Sequence, residues 1–499
     1  MEKSSYRNHR WIKMPSKPIR TSKVIDEKGI LQEQIFNAET QEVKYIGWDE
    51  TGFIESQEIH IDKTLYQPLL DEAVLKKAVM LPSGVLDYLD IETLIEELRA
   101  HINRYVDVSD RYRQIASWYI LSTWLIDKIG TTSYLRAIGD YGTGKSRFKR
   151  VLGGLCYKPI FISGAITPAP IFRMIETWGG TLVFDEMDMK FSDEKNIIVK
   201  ILNCGNERFN PILRCSDKDF SKISFFDTFS PKVFCTRGRF KDQALETRCL
   251  TEVMRETTRS DIPPLLSDGH PFFEEEMSLR NKLLMFRLKC WGSLKVIEPD
   301  KIDFGDVEPR LKQDILPMAM LFWRIPQMQT EIKKFVKNYN NELVEERANT
   351  YEGMIVNTIL EHLDEDFTLS TSPEKSTELT ASMIAVIMKD RYNMEKQPSS
   401  ASIGKKLRIL GLETKPIKVD GKTIRAVMIS KEKMSSLKRK YAPEVTADTE
   451  VTGDISTEKE SSSKKDLNAI FEEFEKKPII PNTTVTKVTP VTETSKSEV

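Results

Sequence analysis

Between residues 131 and 260, short apolar runs alternate with segments of helical pattern. Four such runs are SYLRAIG, KPIFISG, GTLVFDE and SPKVFCTRG, and a helix-like stretch follows each of them. Strands that are separated by helices can pair side by side in parallel, with the helices covering the faces of the sheet. The alternation therefore predicts an α/β core built on a parallel sheet.

The first of these runs leads into a glycine-rich loop, AIGDYGTGKSRF, with the spacing G-x-x-x-x-G-K-S. Such a loop binds phosphate through backbone N–H groups, a lysine and the start of a helix. The loop predicts that a nucleotide, most simply ATP, is bound by Gly139, Gly142, Thr143, Gly144, Lys145 and Ser146, with the Ser146 hydroxyl on Mg²⁺. A glycine-rich turn that matches by chance is the alternative.

A second run, TLVFDEMD, is an apolar strand that ends in two carboxylates. Asp185 lies 40 residues after Lys145, which leaves room for a helix, a strand and another helix. A strand end next to the P-loop places Asp185 at Mg²⁺ and lets Glu186 polarise the attacking water as a general base. The competing interpretation is a solvated acidic turn.

A third segment, PKVFCTRGRFKDQALETRCLTEVM, supplies two further candidates. Thr236 ends its first strand and is a candidate polar sensor of the phosphate. Arg248 lies between a helix end and the next strand, where it could stabilise transition-state charge in a neighbouring subunit. A capping or surface arginine is the alternative for Arg248, and Arg237 and Arg239 are weaker candidates.

The remaining chain divides by its patterns into further units. Residues 1–85 form a β-rich module with turn signals, and 86–265 form the ATPase domain, which opens with a pair of helices. Residues 266–349 are helical, 350–441 form a compact unit, and 442–499 have the composition of a disordered tail. One amphipathic island, LNAIFEEFEKK at 467–477, is either a docking helix for a replication partner or a chance cluster.

The unit at 350–441 reads as three helices followed by a β-hairpin, the order of a winged-helix domain. From Ile403 to Tyr441 there are twelve Lys and Arg against three Asp and Glu, a local charge of +9. The charge predicts DNA binding, although a protein-docking role is the alternative. The predicted contacts are Lys405, Lys406, Arg408, Lys418, Lys422 and Arg425.

A hairpin with a basic tip is predicted at residues 210–229. Arg214, Lys218 and Lys222 would line the pore of a ring and contact DNA. An ordinary surface hairpin is an equal alternative.

The overall charge excludes no class of binding partner, because 74 Lys and Arg nearly balance 75 Asp and Glu. The polar, basic start, the absence of C-x-x-C pairs among six cysteines and the lack of a long apolar stretch predict a cytoplasmic protein with reduced thiols and no membrane segment.

Four motifs, in this order, resemble the ATPase core of AAA+-type proteins: GDYGTGKS, LVFDEMD, FCTRG and LETRC. The segment ALETRCLTEV is similar to the arginine-finger segment of minichromosome-maintenance helicases. The chain further resembles ATPases encoded with primase and helicase modules on plasmids, viruses and integrated elements, over roughly residues 90–260. It departs from the commoner pattern in having Thr236 where an asparagine is usual.

The resemblance implies ATP hydrolysis at the interfaces of a homo-oligomeric ring, with a hexamer as the candidate size, and work on DNA. The first hypothesis is therefore a replicative helicase-like motor of a mobile genetic element. The alternatives are an ATP-dependent loader, a remodeller or a DNA-bound switch without unwinding activity, and a regulator that reads an operator.

Overall fold

The computed structural model describes residues 17–49, 51–163, 166–185, 193–215, 223–362, 374–376, 379–419 and 422–442, with the backbone alone for 193–196, 214–215, 374–376, 419 and 422. The strands are β1 (Ile19–Arg20), β2 (Lys23–Ile25), β3 (Leu31–Asn37), β4 (Glu42–Asp49), β5 (Gly52–Ser56), β6 (Ile59–Ile61), β7 (Thr64–Gln67), β8 (Tyr134–Ile138), β9 (Ile160–Ile162), β10 (Leu182–Phe184), β11 (Ile212–Cys215), β12 (Ile223–Phe226), β13 (Lys232–Thr236), β14 (Cys249–Val253), β15 (Glu374–Ser376), β16 (Glu413–Val419) and β17 (Lys422–Ser430).

The helices are α1 (Glu72–Leu75), α2 (Ile91–Tyr105), α3 (Asp110–Trp124), α4 (Lys145–Phe148), α5 (Pro168–Trp178), α6 (Asp193–Cys204), α7 (Gln243–Glu246), α8 (Pro271–Ser293), α9 (Pro309–Phe322), α10 (Pro326–Ala348), α11 (Tyr351–Glu361), α12 (Ala381–Arg391), α13 (Ser400–Ile409) and α14 (Lys431–Tyr441). Several begin where the sequence places a cap. The hydroxyl of Ser109 accepts from Tyr112 N–H at the start of α3, and that of Ser399 accepts from Ser402 N–H at the start of α13.

A parallel sheet of five strands forms the centre of this mixed α/β fold, in the order β14-β8-β13-β10-β9. Its strands are apolar and buried, as expected of a parallel sheet covered on both faces. One face packs on α5 and α6 through Ile171, Trp178 and Ile201. The predicted alternation of strands and helices is confirmed, except that the helix expected around residues 240–248 is only the short α7.

The β-rich start of the chain contains two sheets, one of four antiparallel strands (β2-β3-β4-β5) and one of three (β1-β7-β6). A buried ionic cluster joins the first sheet to the helices. The carboxylate of Glu33 on β3 lies 2.8 Å from Lys158 Nζ, and Arg287 Nε on α8 donates to it at 2.8 Å. All three side chains are at most 2% exposed.

The predicted hairpin is present as the antiparallel pair β11 and β12, whose tip (216–222) lies outside the described residues. Towards the end of the chain, α11, α12 and α13 precede the antiparallel pair β16 and β17, and β15 adds a third strand beside β17. Ile355, Ile384, Ile403 and Val427 share one buried core. The helix and strand order expected for 350–441 is therefore confirmed, and the turn at 420–421 is not described.

Candidate nucleotide site

The glycine-rich loop follows β8 at the carboxyl edge of the sheet. Gly142 and Gly144 have φ values of +78° and +87°, a left-handed conformation that other residues rarely adopt. A Cβ atom on Gly139 would lie 2.5 Å from Thr143 Oγ1 and 2.8 Å from the Met254 carbonyl oxygen. Gly142 and Gly144 therefore favour glycine because of their backbone conformation, and Gly139 because a side chain would not fit there.

Lys145 begins α4 directly after the loop, and the residue is 8% exposed. Its ammonium donates to the Asp140 carbonyl at 2.5 Å, and Thr143 Oγ1 donates to the same oxygen at 2.8 Å. The cation is thus folded over the loop that precedes it, while Ser146 is exposed beside it. The structure brings all six predicted phosphate-loop residues into one strand–loop–helix segment.

Asp185 directly follows β10 at the same edge of the sheet as the loop. One strand, β13, separates β10 from β8, so Asp185 is not on the strand adjacent to the P-loop strand. In the sheet register, Phe184 pairs with Phe234, and Phe234 pairs with Arg136. Asp185, the next residue, therefore lies at about the level of the end of β8, just before the loop. Glu186, the predicted general base, lies outside the described residues.

Lys149 is a neighbour of Asp185 that the sequence patterns did not single out. Its ammonium forms an ion pair with the Asp185 carboxylate. The two residues are 36 positions apart in the chain. The available signal was a second basic residue four positions after Lys145, since residues spaced i and i+4 share one face of a helix.

Thr236 ends β13, the strand between the loop strand and the acidic strand. Its residue is 3% exposed, and Oγ1 has no hydrogen-bond partner among the described residues. A buried hydroxyl without a hydrogen-bond partner lowers the stability of a fold. The Thr236 hydroxyl is therefore a polar group at this site that makes no hydrogen bond with the other described residues. This is the position at which a polar sensor was predicted.

Cys235 links β13 to the loop helix, because its thiol donates to the Lys145 carbonyl at 3.0 Å. Burial and, to a smaller extent, the nearby Asp185 carboxylate raise the pKa of this thiol to about 12. The thiol is therefore an inert neutral donor that fixes α4 against the sheet.

Arg248 precedes β14 at the opposite, amino-terminal edge of the sheet. Its backbone carbonyl accepts from Tyr134 N–H, at the start of β8, whereas the loop follows the end of β8. Its guanidinium donates to the Ala244 carbonyl and, at 3.3 Å, to Asn203 Oδ1. Five residues of strand, roughly 16 Å, separate Arg248 from the loop of its own chain. Arg248 is a helix-capping group here and does not contact the loop.

The other arginines near the loop also have defined neighbours. Arg237 lies 4.2 Å from the ring centroid of Tyr141, an exposed residue of the loop. Arg239 contacts the carboxylates of Glu246 and Glu346 at 3.5 Å and 3.2 Å. Of the three candidate arginines, Arg237 is the one that packs on the loop.

A buried ion pair holds the loop strand to the segment that precedes Arg248. The guanidinium of Arg136 on β8 donates to both Glu246 carboxylate oxygens, at 2.5 Å and 2.6 Å. It also donates to Thr251 Oγ1 and lies over the Phe240 ring. The pair therefore ties the middle of β8, the strand that leads into the loop, to α7, the short helix before Arg248.

An open cavity of 650 Å³ lies beside Met254, the residue that follows β14. Met254 is one of its walls, and the Met254 carbonyl and methyl groups approach Gly139 and Gly144. The other wall residues are mostly polar and include Asn103, Asp107, Arg113, Arg255 and Arg259. Ligand cavities commonly measure about 300–1,000 Å³, so this one has room for a small ligand beside the phosphate loop.

The basic residues predicted to contact DNA are spread over α13 and the strand pair. Lys405, Arg408, Lys418 and Arg425 are exposed, and Arg425 also donates to the Thr414 carbonyl at 3.2 Å. Lys406 forms an ion pair with Glu352 on α11, which places its charge against the protein. The side chain of Lys422 lies outside the described residues.

On the hairpin, Arg214 is described by its backbone alone, and Lys218 and Lys222 lie outside the described residues. Leu213 and Phe225 are paired across the two strands and are 56% and 67% exposed. Ile212 and Phe226, on the other face, pack against the core. The described part of the hairpin therefore presents apolar side chains outward.

No protein-family model matches the chain, and no curated protein matches it. The NrS-1 C-terminal region in its apo form is similar, with 11% identity and a TM-score of 0.35 over 80% of this chain and 96% of that one. The SCCmec type IV Cch active helicase shows 10% identity and a TM-score of 0.34 over 79% of each chain. Drosophila ORC bound to DNA shows 13% identity and a TM-score of 0.17 over 69% of this chain and 90% of that one. Because every TM-score is below 0.5, we base no inference on these likenesses.

None of the helices among the described residues combines the length and the apolar character needed to cross a membrane.

Proposed function

We propose that this chain is a P-loop ATPase of the AAA+ type that acts on DNA as a replicative helicase-like motor of a mobile genetic element. The observation that carries the proposal is the meeting of three groups at one edge of the parallel sheet. These are the glycine loop with Lys145, the Asp185 carboxylate, and the unpartnered hydroxyl of Thr236 on the strand between them.

These residues fit ATP and Mg²⁺. The left-handed glycines leave room for phosphate oxygens against backbone N–H groups, and Lys145 supplies a cation. Ser146 and Asp185 offer a hydroxyl and a carboxylate, the oxygen ligands that Mg²⁺ accepts. ATP supplies the bond to be broken, and Mg²⁺ offsets the negative charge that develops on the phosphate.

The chain's own residues then divide the work. Lys145 leaves the Asp140 carbonyl for phosphate, Thr236 donates its hydroxyl towards the reacting phosphate, and Glu186 orients the attacking water. The cavity beside Met254 accommodates the base and ribose. Lys145 and Thr236 lie at this edge of the sheet, and Glu186 directly follows Asp185 in the chain.

In this proposal, Arg248 stabilises the transition-state charge on a phosphate bound by a second copy of the chain, since Arg248 lies at the edge of the sheet away from its own loop. In a ring, the amino-terminal edge of one subunit would face the loop of the next, and the exposed cations of α13, β16 and β17 would contact DNA as a winged helix does.

ATP hydrolysis with and without single-stranded DNA tests the proposal directly. We expect DNA to stimulate hydrolysis in the wild-type chain, and Lys145→Ala and Glu186→Gln to abolish it. Lys76→Met is the matched control, because Lys76 is an exposed lysine directly after α1 that pairs with the exposed carboxylate of Glu72. A Lys145→Ala chain that hydrolysed ATP at the wild-type rate would refute the proposal.

A mixing experiment tests the shared site. Lys145→Ala and Arg248→Ala chains should each be inactive alone and should regain part of the wild-type rate when mixed, because some interfaces then join an intact loop to an intact arginine. If Arg248 acts only as a helix cap, the rate of ATP hydrolysis in the mixture equals the sum of the rates of the two variants measured separately. Strand displacement in the same samples separates a motor from an ATP-dependent loader or switch.

A further inference from the structure

Lys149 is the second lysine of the loop helix, four residues after Lys145. It lies where α4 ends and a single π-helical turn, Lys149–Gly153, begins. Such turns insert one extra residue and often occur at functional sites. Here the turn carries the ammonium that pairs with Asp185. The two side chains are 18% and 35% exposed, so the pair is half-buried at the edge of the sheet.

Close packing fixes the backbone that carries Lys149. A Cβ atom on Gly153 would lie 2.7 Å from Val183 Cγ1, so the π-helical turn rests directly on β10, two residues before Asp185. Arg150, the next residue, contacts the Glu276 carboxylate at 2.8 Å. The distance between Lys149 and Asp185 is therefore set by the sheet and the helix and does not depend on a loop.

The Asp185 carboxylate is also the group assigned to Mg²⁺ in the proposed function. Mg²⁺ is a hard cation that requires carboxylate or hydroxyl oxygens, or their bound waters, at fixed octahedral positions. An ammonium donates hydrogen bonds to the lone pairs of the same oxygens. A carboxylate whose oxygen is bonded to an ammonium is a weaker ligand for the metal, because both cations draw on the same charge.

We propose that Lys149 is a positioning residue that orients Asp185 and competes with Mg²⁺ for its carboxylate. Lys149 thereby sets the Mg²⁺ concentration at which the nucleotide is held. The inference rests on the proposed function, since it takes the loop to bind a nucleotide with Mg²⁺. It goes beyond that function by giving a role to a residue that the P-loop pattern leaves unspecified.

The test is a binding measurement with a fluorescent, slowly hydrolysed ATP analogue and the full chain, as Mg²⁺ is raised from zero in a chelator-buffered series. Removing the ammonium while keeping the stem, with Lys149→Met, should lower the Mg²⁺ midpoint about two- to fivefold, the size expected for a partly exposed ion pair. Lys149→Arg keeps the charge and should stay near the wild-type midpoint. The affinity for the nucleotide analogue measured without Mg²⁺ should not rise in Lys149→Met.

Lys76→Met is the matched control, because it removes a lysine from a carboxylate pair on the surface at 2.9 Å and should leave the midpoint unchanged. An unchanged or higher midpoint in Lys149→Met, with normal nucleotide binding, would overturn this inference alone. A wild-type chain that binds no nucleotide at any Mg²⁺ concentration would overturn the proposed function and this inference with it. Lys149→Gln provides a second neutral variant with the same expected direction.

Discussion

Replacing either partner of the Arg136–Glu246 pair tests whether a buried ion pair holds the strand that carries the P-loop. The side chains are 1% and 10% exposed, and two N–H groups of Arg136 meet the two carboxylate oxygens. Burial alone would raise the pKa of Glu246, but hydrogen bonds and charge from Arg136 bring it below its ordinary value. Both groups are therefore charged at neutral pH.

The size of the effect follows from which charge is left behind. Glu246→Leu leaves a buried guanidinium whose remaining polar partner among the described residues is Thr251. Arg136→Met leaves a carboxylate that still accepts from Phe240 N–H at 2.8 Å and lies 3.5 Å from the exposed Arg239 guanidinium. Losing one partner of a buried pair costs about 3–5 kcal/mol. The double variant Arg136→Met/Glu246→Leu replaces the pair by apolar groups and should lie within about 1 kcal/mol of wild type.

Urea denaturation monitored by the buried tryptophans, such as Trp178, measures the four unfolding free energies of this cycle. The same cycle on the exposed pair Lys76 and Glu72 is the control and should give less than about 1 kcal/mol. Because the folded-state pKa of Glu246 is lowered, the pair contributes fully above its ordinary pKa of 4.5 and loses its contribution as the pH falls below that value. Additive single costs, with a double variant destabilised by about 6–10 kcal/mol, would refute the reasoning, since that is twice the cost of a single replacement.

Three further perturbations follow from other buried polar groups. Thr236→Val removes a hydroxyl without a described partner, so we expect about 1 kcal/mol of added stability in thermal melts and a loss of ATP hydrolysis; lower stability would contradict the first part. Glu33→Gln leaves Lys158 without the carboxylate it pairs with and leaves Arg287 paired with Asp127, and the midpoint of urea unfolding should fall by the equivalent of about 3–5 kcal/mol. Burial raises the pKa of Asp314 to about 7 despite Arg310 at 3.2 Å, so the folded chain binds the extra proton and wild-type stability falls as pH rises from about 4 to 7. Asp314→Asn removes this loss, and its stability relative to wild type should rise by about 3 kcal/mol between pH 5 and pH 8 in urea titrations; a constant difference would contradict the assignment.

The parts of the fold that the sequence predicted are those governed by local rules. A helix start at Lys145 follows from the glycine loop. The hairpin β11–β12 and the three helices before β16 follow from period and turn residues. Each of these features depends on residues within about one element of each other.

The parts that the sequence did not predict depend on partners far apart in the chain. Lys149 meets Asp185 across 36 residues, and Arg136 meets Glu246 across 110. The order of strands in the sheet is of the same kind, because the alternation of strands and helices does not say that β13 lies between β8 and β10. The roles of all the predicted site residues, from the glycine loop to Arg248 and the basic residues, stay predictions.

Charge balance gives a reason to look for a second chain at the site. At the carboxyl edge of the sheet, the described cations in contact with the loop or Asp185 are Lys145, Lys149 and Arg237, and Asp185 offsets one of them. A triphosphate with bound Mg²⁺ keeps a net negative charge. Lys149 pairs with the Asp185 carboxylate when no metal is bound to that carboxylate. Transition-state charge on the phosphate then needs a further fixed cation in a site of low dielectric constant. If the chain hydrolyses ATP as proposed, Arg248, at the far edge of its own sheet, would supply that cation to another copy of the chain, and the mixing experiment tests this electrostatic argument for a shared site.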